Sequence, residues 1–144
     1  MKTGYYAAAW SLVFAVLHVI WACGWYVGLN AEGAAKAFQK PWFLAYDLAV
    51  AELCFVALFL GLALSKPQER RRRNRRVVVA MSYAAAAILA LRGVAGLTQS
   101  LYLLASGREV AMRSTAWDLW FCLGGMIFCL AVSRFRQTPT GVFL

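Results

Sequence analysis

Charge is scarce in this chain: Asp, Glu, Lys and Arg together make up 15% of its 144 residues. Hydrophobic residues reach 62%, against about 45–50% in soluble globular domains. That balance excludes a water-soluble single-core fold and a disordered or fibrous chain. Histidine is scarcer still. With His18 alone, a haem held between two histidines of one chain is excluded. Cys23, Cys54, Cys122 and Cys129 fall inside apolar runs without a C-x-x-C pair, which disfavours thiol redox chemistry and favours buried packing. No metal site and no cofactor is expected from this set of residues. No internal repeat stands out, and the one biased tract is the arginine run from Arg70 to Arg76.

What the chain does have is apolar length. A hydrocarbon layer of ~30 Å needs about 20 helical residues, and four charge-bounded runs meet that requirement. They extend approximately from Tyr5 to Leu29, Trp42 to Ser65, Val77 to Ala105 and Thr115 to Ser133. The expected fold is therefore all-α: a single four-span transmembrane domain built as a four-helix bundle. Continuous apolar runs argue against barrel strands, which would alternate polar with apolar residues. Lys2 ahead of the first run, with Ala22 and Cys23 near its end, has the look of a secretory signal. Bulky Trp21 and Trp25 flank that point, however, and the run exceeds a signal core of about 7–15 residues, so it is read as a retained span.

Orientation follows from the flanking cations. Lys2, Lys66, Arg70, Arg71, Arg72, Arg73, Arg75, Arg76, Arg134 and Arg136 share one side of a four-span chain, against Lys36, Lys40, Arg108 and Arg113 on the other. This asymmetry predicts that both termini are cytoplasmic. It also explains the net charge of +9 without a nucleic-acid partner, the arginine run being a topogenic loop that meets anionic lipid headgroups. Pro67 marks the end of the second span. The outer loop from Asn30 to Pro41 reads as a short amphipathic turn on the membrane surface, and Trp42, Trp117 and Trp120 fit an aromatic belt.

The informative residues are those the membrane should not contain. A Lys, Arg or Asp at the centre of a span costs ~2.5–3.5 kcal/mol on the insertion scale, so each needs a reason. His18 lies in the first span, Asp47 and Glu52 in the second, Arg92 and Gln99 in the third and Asp118 in the fourth. Counting from the run ends places His18, Glu52 and Arg92 near the midplane and Asp47, Gln99 and Asp118 in the outer half. Helical spacing aligns Phe14, His18, Trp21, Trp25 and Gly28 in one stripe, Arg92, Gly96 and Gln99 in a second, and Asp118, Cys122, Gly125 and Cys129 in a third. Asp47 and Glu52, five residues apart, point in different directions.

Each polar residue also has an ordinary explanation. Arg92 can fix helix register by pairing with Glu52 or Asp118. Asp118 can belong to a capping box with Thr115, Asp47 can sit at a wetted rim, and His18 can be a hydrogen-bonded core residue. Taken together, three carboxyls accompany one arginine, so simple pairing leaves an acid that must carry a proton or meet a cation. The six tryptophans, with Tyr26, Tyr46 and Tyr102 near the outer ends, could offer π faces to a cationic ligand or carbocation, and Trp21 and Trp25 would line its path.

The segments LHVIWACGW with His18, LRGVAG with Arg92 and WDLWFCLGG with Asp118 resemble a family of small four-span bacterial inner-membrane proteins grouped as a domain of unknown function. That resemblance implies the four-span fold and the bacterial inner membrane, and no activity. In part count and chemistry the chain also resembles compact integral-membrane terpene cyclases and sterol isomerases, which place acids in an aromatic cavity between helices. Three functions are therefore expected to compete. The first is an acid-initiated cyclase or isomerase of an isoprenoid-like lipid, with Glu52 or Asp118 donating a proton, His18 or Asp47 accepting one, and Arg92, Trp21, Trp25, Gln99 and Tyr102 lining the substrate. The second is a proton-coupled transporter of a small molecule or cation, for which four spans would require a homodimer. The third is a structural subunit whose polar residues act as glue between helices.

Overall fold

The computed structural model describes residues 2–66 and 72–137, the side chains of 72 and 73 excepted. Five helices, and among the described residues no strand, make up the fold: α1 (Lys2–Ala22), α2 (Ala31–Phe38), α3 (Pro41–Ser65), α4 (Arg72–Ala105) and α5 (Met112–Gln137). All but α2 are long and apolar enough to cross a membrane. The protein is an all-α membrane protein, as continuous apolar runs demand when backbone amides in hydrocarbon must be satisfied within their own segment. Pro67, Arg70 and Arg71 lie outside the described residues.

The first apolar run does not stay helical to Leu29. Helix α1 stops at Ala22, where Gly24 takes φ +88° and two hydrogen bonds close the end: Trp25 N to Ile20 O at 3.1 Å and Gly24 N to Trp21 O at 2.8 Å. This is the Schellman arrangement, in which a left-handed glycine turns the chain and satisfies the last carbonyls. Helix α4 ends the same way at Gly107, with Arg108 N to Leu103 O and Gly107 N to Leu104 O both at 3.0 Å. The early stop changes one expected depth. His18 lies four residues from the end of α1, toward the end of the bundle opposite the termini and not at the middle of its helix.

Helix α2 occupies the connection read as an amphipathic turn, and Phe38 holds it through ring contacts with Tyr26 at 5.3 Å and Phe43 at 4.9 Å. Pro41 then opens α3 at a first-turn position, where its missing N–H costs nothing.

Two antiparallel pairs build the bundle. Helix α1 packs on α3 and α4 on α5, with α1 on α5 and α3 on both α4 and α5 joining them. Close approach needs small residues: a Cβ on Gly61 would stand 2.5 Å from Ala8 N, so α1 and α3 touch backbone to backbone there. Phe14, Leu64, Phe128 and Val132 fill the centre with almost no exposure, while Leu53, Phe59, Leu91, Leu101 and Leu130 project outward. An outer surface of that kind suits hydrocarbon and not water. At the end bearing the termini, Arg75 donates to the Arg136 carbonyl at 3.0 Å and covers the Phe135 ring at 5.9 Å, clipping α4 to α5.

Candidate functional site

The polar residues gather at the opposite end, where the α1–α3 and α4–α5 connections lie. Asp118, six residues into α5, accepts a hydrogen bond from the Arg92 guanidinium of α4 at 2.8 Å. The carboxylate side chain is 6% exposed and the arginine 52%, so the acid is fixed within the helix pair while the guanidinium keeps an open flank. Gly96 makes this geometry attainable. Its missing side chain is the space that the Asp118 carboxylate occupies, and any Cβ would overlap that group. The stripe of Arg92, Gly96 and Gln99 thus faces Asp118 as its spacing implies, and Cys122 beside Gly93 and Gly125 beside Ala90 continue the same α4–α5 seam. Asp118 is not part of a capping box: α5 begins at Met112, which puts Thr115 inside the helix, and the carboxylate serves Arg92 instead.

A pocket of about 280 Å³ opens beside this pair, lined by Arg92, Gln99 and Ser100 of α4, Glu109 of the connection, and Ser114, Trp117 and Asp118 of α5. Glu109 and Ser114 carry no signal in the sequence, because they lie at a helix boundary among ordinary loop residues and only the return of α5 beside α4 brings them to Arg92.

A second pair lies between α1 and α3. His18 Nδ1 meets Asp47 Oδ1 at 2.6 Å, with His18 7% and Asp47 3% exposed. Asp47 is therefore buried, not at a wetted rim, because it turns inward toward α1. A carboxylate only accepts, so the Nδ1–H of the imidazole is the donor. The distal atoms, His18 Nε2 and Asp47 Oδ2, are buried without a hydrogen-bond partner. Phe14 at 5.2 Å and the edge of Trp21 at 4.7 Å enclose the ring, and Trp21 is itself held by its Nε1–H on the Val27 carbonyl at 2.8 Å.

The two pairs do not share one chamber. Trp117 stands between them, its Nε1 donating to the Gly28 carbonyl at 3.3 Å and its ring 5.8 Å from Trp21 and 5.9 Å from Phe14. Phe121 completes the partition, its ring 5.0 Å from Phe14 and also 5.0 Å from the Arg92 guanidinium carbon. Arg92 pairs with Asp118 and not with Glu52. Glu52 lies on the exposed face of α3, without an ion-pair partner among the described residues. Trp25 and Tyr102 are each about 70% exposed (71% and 70%) and line neither pair. Trp21 and Gln99 are brought in, the first against His18 and the second into the Arg92 pocket. Among the described residues, no three of the His, Cys, Asp and Glu side chains gather closely enough to hold a metal ion.

Fold and site define a small helical membrane protein with two polar pairs, the hydrogen-bonded His18–Asp47 and the Arg92–Asp118 ion pair, and an aromatic layer between them. A family model described as a protein of unknown function (DUF3995) matches residues 11–128, and the chain belongs to that family. The matched stretch contains both pairs and the partition between them. Comparison with curated proteins finds no match, and comparison with solved structures finds none either.

Proposed function

We propose that this protein binds, at the outer end of its α4–α5 seam, an amphiphile with a cationic amine head, the hydrocarbon tail remaining in the bilayer. One observation carries the reading: the pocket presents one cation against two acids, Arg92 against Asp118 and Glu109. Arg92 is matched by Asp118, and Glu109 makes no ion pair among the described residues. An amine placed there would donate to the carboxylates and meet the π face of Trp117. The apolar exterior beside the site would receive the tail.

Acid-initiated conversion of an isoprenoid asks for more. It needs a carboxyl able to give up a proton inside an enclosed apolar cavity. Asp47 and Asp118 are each engaged by a donor, and Glu52 faces outward. The geometry supports recognition ahead of that chemistry.

The test is thermal unfolding in phosphatidylcholine nanodiscs with dodecylamine or dodecanoate added. Dodecylamine should raise the midpoint progressively, by mass action, and dodecanoate should not. Glu109→Gln should weaken the response. Equal stabilisation by both amphiphiles, or an undiminished amine response in Glu109→Gln, would overturn the proposal.

A further inference from the structure

Glu52 is the one intramembrane acid that neither pair uses. It sits eleven residues after the start of α3 and thirteen before its end, which is the middle of the span. Its side of the helix is the one turned away from the bundle: Ala45, Ala49, Glu52 and Val56, spaced four, three and four apart, are all exposed, whereas Asp47, Ala51, Cys54 and Gly61 pack inward. Lipid tails at that depth offer neither a donor nor an acceptor, and ionisable groups in spans face protein or a polar cavity. Within the chain the cation at comparable depth, Arg92, is held by Asp118.

We infer that this face of α3 is a homodimer interface, with the Glu52 carboxyls of two copies hydrogen-bonded to each other near a twofold axis. A twofold interface sets a patch against itself, so a residue near the axis meets its own counterpart. A carboxyl group suits that position because two of them, with a proton on at least one, supply both donor and acceptor. Ala45 and Ala49 lie one turn apart on the same stripe, and small residues let two helix backbones come close enough for the carboxyls to reach one another. A helix of another protein would need its own polar group at this depth; a second copy brings one at the matching level by symmetry.

Single-molecule photobleaching of the full chain, labelled once and diluted in phosphatidylcholine liposomes, reads the stoichiometry. Wild type should bleach in two steps down to dilutions where Glu52→Leu bleaches in one, a difference of about tenfold in dissociation constant for one interhelical hydrogen bond. Glu52→Gln, whose amide also donates and accepts, should stay dimeric. Ala49→Leu, which leaves the carboxyl in place but blocks close approach, should be monomeric. All three changes lie on an outward face, so the helical circular dichroism should be unaltered. In a chain freed of its native cysteines, Ala49→Cys should form an intermolecular disulfide and Val13→Cys, on the exposed side of α1, should not. A monomeric wild type, a Glu52→Leu protein as dimeric as wild type, or cross-linking through Val13→Cys in preference to Ala49→Cys would overturn the inference.

Discussion

Gly96 and Asp118 are complementary in shape: the carboxylate of α5 fills the hole that the missing side chain of α4 leaves, and from there it reaches Arg92. The relationship makes the position of an acid depend on the absence of a methyl group one helix away.

Gly96→Ala should therefore act on the site and not merely on the helix. The added Cβ displaces Asp118 from Arg92, at a cost of ~1–3 kcal/mol typical of overpacking. A helical glycine replaced by alanine in open surroundings would gain stability instead. Unfolding in nanodiscs gives the sign, and a stabilised Gly96→Ala protein would contradict the packing described.

The His18–Asp47 pair predicts a strong interaction between two substitutions. Asp47→Leu alone leaves the imidazole without its acceptor, and His18→Leu alone leaves a buried carboxyl; each should cost ~3–5 kcal/mol. The double change to leucine should cost less than either single one, because no polar group is then orphaned. A double-mutant cycle on unfolding free energy measures the coupling, and strict additivity would show the two residues to be independent.

Gly24 governs where α1 ends. Gly24→Ala forces a side chain into the left-handed region, at about 1–2 kcal/mol, and should loosen the turn that sets the Val27 carbonyl on Trp21. Amide hydrogen exchange at residues 23–28 should quicken while that of the inner turns of α1 stays unchanged.

Side of the membrane is also open to measurement. The excess of Lys and Arg at the end bearing the termini predicts that the α4–α5 connection faces outward. In a cysteine-free chain, Ser106→Cys should react with a membrane-impermeant maleimide added to intact cells, and a cysteine placed in the Lys66 region should react only after lysis. The reverse pattern would invert the topology and place the Glu109 pocket inside.

How much was legible beforehand differs from residue to residue. The alignment of Arg92, Gly96 and Gln99 on one face follows from helical spacing, and an intramembrane arginine calls for an acid, but spacing leaves Glu52 and Asp118 as equal candidates and only the packing of α4 on α5 chooses Asp118. Nor does spacing give the partner of Asp47. His18 reads deeper in the sequence than it lies in the fold because the apolar run continues past Gly24, and in a membrane segment a glycine is too common to announce a helix end by itself. Had the end been placed there, the short connection to α3 would have put His18 and Asp47 at one level. Glu52 reads as an interior acid by its depth along α3, whereas the rotation of α3 against its neighbours, which turns Glu52 outward, cannot be counted from the sequence.

The order of residues alone determined that there are four segments apolar enough for hydrocarbon and which positions within them are polar, since each of these depends on transfer of single segments out of water. Tertiary structure alone decided the partners: His18 with Asp47, Arg92 with Asp118, an aromatic layer between, and Glu52 outside. The physical reason lies in the solvent. Lipid-facing and core-facing sides of a span are equally apolar, so the amphipathic pattern that reveals the rotation of a helix in water is missing, and only close packing of neighbouring backbones sets which way each polar side chain points.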